Sequence, residues 1–191
     1  MKQHEYDGTT PTLIGWFDDF EGEHAFTALS NFYEGEPLTI PHVSKKPFAT
    51  GEHAYAAMKT LDADIFELVR TADSPGEAKY LGQNLRLRPD WEEVKYDAML
   101  AVLRSKFTLD REEGRVLLST RDALLIEGTH WKDQVWGVDL RDYSAPANHA
   151  PGRNWLGTLL MARRAELRAE QVYGKVAPTV HFNAIFVGRS R

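Results

Sequence analysis

Patterns typical of α-helices follow one another almost without a break between residues 50 and 106, and they constrain the fold of this 191-residue chain most strongly. Asp62 and Ser74 stand where N-capping residues precede helix-forming positions. Gly82 is typical of a residue that ends a helix. A longer helix is predicted from residue 90 to about 105, where residues at spacings of three and four share one side. The centre of the chain is therefore expected to be helical.

Short extended segments are predicted on either side of this block, because brief apolar or β-prone runs alternate there with glycine, proline, asparagine and acidic residues. These predicted strands cover residues 12–17, 25–29, 37–40, 46–48, 124–126 and 179–187. Two further helices are predicted, one capped by Asp110 and leading to Leu118, the other capped by Asn154 and ending near Arg168. The predicted class is α+β: a mainly helical single domain with several short strands.

Length and composition fit one compact core. Single domains commonly contain about 100–200 residues, and no repeat or flexible linker divides residues 1–191. No apolar run approaches the roughly 20 residues that cross a bilayer, and the first residues lack the apolar stretch of a secretory signal. The chain has no cysteine, which excludes disulfides, thiol catalysis and thiolate metal sites. We therefore expect a cytoplasmic protein without a membrane segment.

Charge is distributed unevenly along the chain. Residues 1–152 contain 16 Lys and Arg against 26 Asp and Glu, whereas residues 153–191 contain 7 against 2. The acidic part would repel a phosphate backbone, which argues against binding of duplex nucleic acid by charge. A small anionic ligand near the basic end is compatible with this distribution.

The segment from Thr50 to Lys59 combines a carboxylate and an amine that could share one surface. Glu52 falls in the first turn of a helix predicted over residues 52–61, where free backbone N–H groups and the helix dipole favour an ionised carboxylate. Lys59 lies seven residues later, almost two turns, on the same face and about 10 Å further along the axis. These residues are candidates for catalysis. The alternative is a helix-stabilising glutamate and a solvated lysine.

His53 invites a metal hypothesis that the spacing does not support. The zincin pattern requires a second histidine four residues later, and that position is Ala57. The other histidines show no ligand spacing, so neither a metal nor a cofactor is expected. His53 is predicted to be a packed or hydrogen-bonded side chain.

A second candidate segment runs from Glu127 to Gly137. It follows the short predicted strand and places carboxylates, Glu127 and Asp133, near the aromatic Trp136. Such a loop can bring an acid beside an aromatic wall at the rim of a pocket. The alternative is that Asp133 caps a turn and Trp136 belongs to the core.

A third segment, Gly152-Arg153-Asn154-Trp155-Leu156-Gly157, leads from a turn into a predicted helix. Backbone donors, the helix dipole and a guanidinium converge there, which suits a phosphate or diphosphate. The segment lacks the P-loop and dinucleotide-binding patterns, and an ordinary asparagine cap explains it equally well.

Two further segments place aromatic residues near possible ligand contacts. In Leu29-Ser30-Asn31-Phe32-Tyr33, Asn31 could bind the edge of a base or ribose while Phe32 stacks on the base. A turn asparagine followed by core aromatics is the alternative. In Arg88-Pro89-Asp90-Trp91, Trp91 either contacts a ligand or packs on the core at a helix start.

Taken in order, eight motifs resemble those of the NADAR (NAD- and ADP-ribose-associated) family, also called YbiA-like. They are Leu29-Ser30-Asn31-Phe32, Gly51-Glu52-His53-Ala54-Tyr55 with Lys59, Ala78-Lys79 to Gly82, Arg88-Pro89-Asp90-Trp91, Lys106-Phe107, Leu117-Leu118 with Glu127, Asp133 with Trp136-Gly137, and Gly152-Arg153-Asn154-Trp155-Leu156-Gly157. The resemblance covers residues 25–167, leaving residues 1–23 and 170–191 as extensions. Ala56, where a glutamine is frequent, and Trp155 depart from the family pattern.

The resemblance implies an N-glycosidase that hydrolyses the bond between a ribose anomeric carbon and a nitrogen. The implied substrate is a small-molecule nucleotide, either a riboflavin-pathway intermediate or an ADP-ribosyl-guanine, free or on single-stranded nucleic acid. It implies an essential glutamate at Glu52, a helical lysine at Lys59, an acid at Asp133 and an active-site tryptophan at Trp91. The full predicted binding set is Asn31, Phe32, Tyr55, Trp91, Trp136, Gly137, Arg153, Asn154 and Gly157.

The chemistry of such a bond agrees with these assignments. Its cleavage builds positive charge on the ribose, which the Glu52 carboxylate would stabilise, or it would activate water. Asp133 could bind ribose hydroxyls or protonate the departing nitrogen. Lys59 could bind phosphate or, as a neutral amine, form a Schiff base. A non-catalytic sensor of ADP-ribose or an NAD derivative is the alternative function.

Overall fold

The computed structural model describes residues 13–15, 24–130, 132–141 and 149–174. Within these ranges the α-helices are α1 (Gly51–Ala57), α2 (Ala63–Arg70), α3 (Pro75–Asn84), α4 (Trp91–Lys106), α5 (Glu112–Ser119) and α6 (Trp155–Tyr173). The strands are β1 (Leu13–Gly15), β2 (Leu124–Ile126), β3 (Gly128–Thr129) and β4 (Val138–Asp139), and His24–Leu29 is a 3₁₀ helix. The predicted mainly helical α+β class is confirmed.

The strands form two small parallel pairs. β1 pairs with β2, with Leu13 opposite Leu124, and β3 pairs with β4, with Gly128 opposite Val138. β1 and β2 fall within the strands predicted at residues 12–17 and 124–126. The strand predicted at 179–187 lies outside the described residues.

Three other strand predictions need correction. The strand predicted at residues 25–29 was wrong, because this segment closes local 3₁₀ turns and finds no partner strand among the described residues. The segments predicted at 37–40 and 46–48 meet only at one antiparallel bridge. There Leu38 and Phe48 exchange two backbone hydrogen bonds of 2.8 Å.

Two predicted caps are confirmed, and two predicted helix ends were wrong. The side chains of Asp62 and Ser74 accept backbone N–H bonds at the starts of α2 and α3. α1 ends at Ala57 rather than near residue 61, and the Lys59 carbonyl accepts a bond from the Arg88 N–H at 2.8 Å. Gly82 does not end a helix, since α3 continues to Asn84.

The last two helices also differ from prediction at their ends. The N-cap of α5 is Arg111 rather than Asp110, and no side-chain bond caps this helix. α6 begins after Asn154 as predicted, but it continues to Tyr173, beyond the predicted end at Arg168. Asn154 forms no side-chain bond to the first turn of α6, because its side chain bonds to residues that precede α6 in the chain.

Helix α1 lies in the middle of the core. All seven of its residues are buried, and it contacts α2, α3 and α4. Three of those residues are alanines, Ala54, Ala56 and Ala57, and their small side chains allow neighbouring helices to approach closely. The same helix carries Glu52, so burial of α1 places a carboxyl group inside the protein.

Replacing Gly82 with alanine should destabilise the fold, although alanine normally favours a helix. A Cβ at Gly82 would lie 2.8 Å from the Ala56 Cβ and 3.4 Å from the Lys59 Nζ. Overpacking of this kind typically costs about 1–3 kcal/mol. Denaturant unfolding would measure the loss. Gly76→Ala in the same helix is the matched control, because its Cβ would meet only the Ser74 Oγ at 3.8 Å. Equal stability of the two variants would contradict the proposed α1–α3 contact.

Candidate active site

A cavity of about 680 Å³ opens beside the N-terminus of α1. It is enclosed by the 30–32 turn, by α1, α3 and α4, by residues of the 127–136 segment and by the first turn of α6. Its lining residues are Ser30, Asn31, Phe32, Glu52, Tyr55, Lys59, Gly76, Lys79, Gln83, Trp91, Glu92, Lys95, Met99, Glu127, Asp133, Val135, Trp136 and Leu156. The three predicted catalytic residues, Glu52, Lys59 and Asp133, therefore all line one cavity.

Glu52 lies in the first turn of α1 and is only 9% exposed. Its backbone N–H donates to the Asn31 carbonyl at 2.9 Å, which ties the start of α1 to the 30–32 turn. Burial raises the pKa of the Glu52 carboxyl, while the charges of Lys59 and Lys79 act to lower it. From the sequence, only the helix terminus was expected to act on this group, favouring the ionised carboxylate. In the fold, desolvation is the largest influence, and the two lysines favour the anion.

Lys59 lies just beyond the end of α1 and lines the same cavity as Glu52. Its Nζ is 5.4 Å from the centre of the Tyr55 ring. Burial lowers the pKa of the Lys59 amine, and the negative charges of Glu52 and Asp133 partly oppose that shift. A lysine in these surroundings is closer to a neutral amine, the form required for nucleophilic attack, than a solvated one.

Asp133 combines the two roles that the sequence left as alternatives. Its Oδ1 accepts hydrogen bonds from the backbone N–H groups of Val135 at 3.0 Å and Trp136 at 2.9 Å, so it caps a turn. It also lines the cavity, and its charge influences the pKa of Glu52 and the pKa of Lys59. The turn bonds hold the carboxylate in place.

The cavity has an aromatic wall centred on Tyr55. Its ring centre lies 5.3 Å from that of Trp91 and 5.4 Å from that of Trp136. Tyr55 and Trp91 are buried, which matches the core alternative for Trp91, yet both line the cavity. Phe32 is 38% exposed, and the Lys79 Nζ lies 5.3 Å from its ring centre. Phe32 is therefore suited to stack on a planar ligand.

Asn31 is buried on the cavity wall. Its Nδ2 donates to the Met99 Sδ at 3.3 Å, and its Oδ1 is buried without a donor among the described residues. A Cβ at Gly51 would lie 2.8 Å from that Oδ1. The side chain is thus tightly enclosed between α1 and α4.

Four residues of the predicted binding set do not line the cavity: Gly137, Arg153, Asn154 and Gly157. Arg153 is exposed, and its backbone N–H donates to the Gln134 carbonyl at 2.9 Å. The Asn154 side chain bonds the backbone of Leu125 and Glu127. Leu156 of the predicted phosphate-binding segment lines the cavity, but the three residues of that segment in the predicted binding set, Arg153, Asn154 and Gly157, do not.

The predicted catalytic and binding residues do not include four charged residues that the fold brings to the cavity: Lys79, Glu92, Lys95 and Glu127, of which Glu127 was a candidate carboxylate of the 127–137 segment. Lys79 belongs to one of the recurring motifs, and this is the signal that could have identified it. Glu92 and Lys95 form a 2.5 Å ion pair at helical spacing in α4, a pattern equally typical of a solvated surface.

His53 is a hydrogen-bonded core residue, as predicted. Its Nε2 bonds the Ala72 carbonyl at 3.1 Å, and its Nδ1 bonds the Thr50 hydroxyl at 2.8 Å. Because a carbonyl only accepts hydrogen bonds, Nε2 carries the proton and Nδ1 accepts from Thr50.

Across the residues that the structure describes, no three histidine, aspartate or glutamate side chains are grouped as a metal site requires. No helix in that part of the chain has both the length and the apolar character to cross a membrane.

Comparisons with protein-family models and with known proteins point to the same family. The NADAR domain model matches residues 19–168. The N-glycosidase YbiA of Escherichia coli is 37% identical over 131 residues, which are 68% of this chain and 76% of that protein. A riboflavin biosynthesis protein of Vibrio vulnificus is 32% identical over 163 residues, covering 84% of this chain and 40% of its own length.

A solved structure agrees with these sequence matches. The NMR structure of E. coli YbiA superposes with a TM-score of 0.67 at 32% identity, covering 88% of this chain and 92% of that one. Fold, family model and relatives thus converge on one assignment, which includes the enzyme class. The chain belongs to the NADAR domain family and is an N-glycosidase.

Proposed function

We propose that this N-glycosidase cleaves the bond between C1 of a ribose and a nitrogen. Its proposed substrate is a ribosylamino-pyrimidine phosphate of riboflavin synthesis or an ADP-ribosylated guanine. The observation that carries the proposal is the buried Glu52 on a cavity shared with Lys59 and Asp133. The cavity volume of about 680 Å³ lies within the range of small-ligand sites. The name of the Vibrio relative supports the first substrate class.

Departure of the nitrogen leaves positive charge on the ribose C1 and its ring oxygen. A carboxylate in a partly dehydrated cavity stabilises such charge more strongly than one in water. Glu52 has this environment, and positive charge on Lys79, or on Lys59 when it is protonated, favours its ionised form. Glu52 is therefore the group that stabilises the cationic transition state or activates the attacking water.

The other side chains of the cavity serve orientation and leaving-group chemistry. The Tyr55 and Trp136 rings form a wall for the departing base, and Phe32 offers an exposed face for stacking. In this proposal Asp133, which is held by its turn bonds, accepts hydrogen bonds from ribose hydroxyls or protonates the departing nitrogen. Lys79, on the rim beside Phe32, supplies positive charge for a substrate phosphate.

A product assay tests this proposal. The full chain is incubated with a ribosylamino-pyrimidine phosphate or with an ADP-ribosylated guanine nucleotide, and released ribose phosphate or ADP-ribose is measured by mass spectrometry. Release from one substrate, at a rate well above that without enzyme, is the expected result. Tight calorimetric binding of ADP-ribose with no product from either substrate would contradict the proposed substrates and favour a binding role.

A further inference from the structure

We propose that Glu127 is a second carboxylate that contacts the substrate, accepting hydrogen bonds from the ribose hydroxyls, and that Asn154 is the residue that positions it. Glu127 lines the cavity with Glu52, whereas Asn154 lies behind it. This inference rests on the proposed cleavage at a ribose. It also accounts for three of the four predicted binding residues that do not line the cavity: Gly137, Asn154 and Gly157.

The backbone of Glu127 is held from both sides. Its N–H donates to the Asn154 Oδ1 at 2.9 Å, and its carbonyl accepts from the Val138 N–H at 2.8 Å. A Cβ on Gly137 would lie 2.4 Å from that carbonyl oxygen and 3.1 Å from the Glu127 Cγ. Gly137 is therefore required for close packing against the base of the Glu127 side chain.

Asn154 is specialised for this contact. It has φ 50° and ψ 41°, a left-handed conformation that asparagine tolerates better than most residues. Both polar atoms of its side chain are used, because Nδ2 also donates to the Leu125 carbonyl at 2.8 Å. A Cβ at Gly157 would lie 2.6 Å from these atoms and 2.2 Å from the Leu125 oxygen. Gly157 thus leaves room for the Asn154 side chain.

Three motif residues that do not line the cavity therefore converge on one that does. Gly137 and Asn154 contact Glu127 directly, and Gly157 accommodates Asn154. Side chains that must stay within a fraction of an ångström of a productive position need this kind of support. A loop glutamate with a solvated side chain would not need such support.

The charges near Glu127 differ from those near Glu52. Lys106, which is 1% exposed, donates from its Nζ to the carbonyl of Ser30, a cavity residue. Burial lowers the pKa of Lys106 to about 7, and Glu113 and Glu127 act in the opposite direction. Glu52 responds instead to Lys59, Lys79 and Asp133. The two glutamates thus line one cavity but have different charged neighbours.

A ribose diol is the ligand group that suits Glu127. A carboxylate only accepts hydrogen bonds when ionised, and its two oxygens can receive two neighbouring hydroxyls. Glu127 would therefore distinguish ribosyl from deoxyribosyl substrates.

The test compares Glu127→Ala on a ribosyl substrate and on its 2-deoxyribosyl analogue. Loss of hydrogen bonds to a charged group should lower kcat/KM roughly 10- to 100-fold on the ribosyl substrate. On the analogue the loss should be several-fold smaller. Glu93→Ala is the matched control, since Glu93 is an exposed glutamate of α4 that does not line the cavity. Equal losses on both substrates, or a change below about 3-fold, would overturn the proposal.

Asn154→Gly tests the positioning role, because glycine keeps the left-handed backbone and removes both side-chain bonds. Asn154→Gly should lower the kcat/KM of the wild type but should lower the kcat/KM of Glu127→Ala little further. General damage to the fold would instead lower kcat/KM by the same factor in both proteins.

If the wild type cleaves no N-ribosyl bond, the proposed function fails. Calorimetry with ribose 5-phosphate then tests Glu127 separately: unchanged affinity in Glu127→Ala would overturn its role.

Discussion

Glu52→Gln should lower kcat/KM by about 10²- to 10⁴-fold and leave the fold intact, the range expected when a charge-stabilising group or general base is lost. The amide preserves the size of the side chain, so packing around α1 is retained. It removes the negative charge that faces the developing cation of the ribose. Rates of product release by the purified variant and wild type, under the same conditions, measure this loss.

The stability of the same variant supplies the control. Burial raises the pKa of Glu52 above its ordinary value of 4.5, so the folded state prefers the protonated carboxyl. Below pH 4.5 the carboxyl is protonated in both folded and unfolded states, and ionisation makes no difference to stability. As the pH rises above 4.5, the carboxyl of the unfolded chain ionises while the buried carboxyl keeps its proton, so the free energy of unfolding falls until the buried group ionises as well.

Glu52→Gln should therefore be at least as stable as the wild type at pH 8, and this relative gain should disappear below about pH 4.5. Thermal unfolding at the two pH values measures the difference. An inactive variant with a much lower Tm at pH 8 would mean that Glu52 acts through packing. Turnover equal to that of the wild type would remove Glu52 from the mechanism.

If the Lys59 amine acts as a nucleophile, Lys59→Met and Lys59→Arg should each lower the activity by about 10²-fold or more relative to the wild type. In that step Lys59 Nζ bonds to ribose C1 as the C1–N bond breaks and the departing base takes up a proton. The sugar ring then opens to the Schiff base, which water hydrolyses to restore the lysine. Arginine cannot replace this function because its guanidinium stays protonated.

Burial lowers the pKa of Lys59, so the neutral amine becomes populated at lower pH than for a solvated lysine. The rate should rise with pH up to that pKa. Borohydride added during turnover should leave a reduced sugar adduct on the peptide that contains Lys59, detectable by mass spectrometry. If Lys59→Arg keeps most of the activity and no adduct forms, Lys59 binds a substrate phosphate instead.

Local sequence patterns predicted the elements that depend on local chemistry. The caps at Asp62 and Ser74 were predictable because a side-chain oxygen bonds N–H groups two or three residues away. The motif order also predicted the family and, through it, three candidate catalytic residues that line one cavity. His53 was predictable as a hydrogen-bonded residue because no metal-ligand spacing surrounds it.

Predictions were wrong where contacts with distant segments decide where a helix ends or which groups a side chain bonds. Gly82 would end an isolated helix, but α3 continues because the missing Cβ allows contact with Ala56. Asn154 has the chemistry of a helix cap, yet its side chain bonds residues 27 and 29 positions earlier in the chain. No local pattern encodes such partners.

The amino-acid sequence alone determined the helical character of the centre, the family and the residues that carry charge near α1, since these depend on residue type and short spacing. Only the tertiary structure decided how those charges behave. Packing buries α1 on every side, which raises the pKa of Glu52, lowers the pKa of Lys59 and brings Glu127 to the same cavity. Desolvation and contacts between distant residues exist only once the chain has folded.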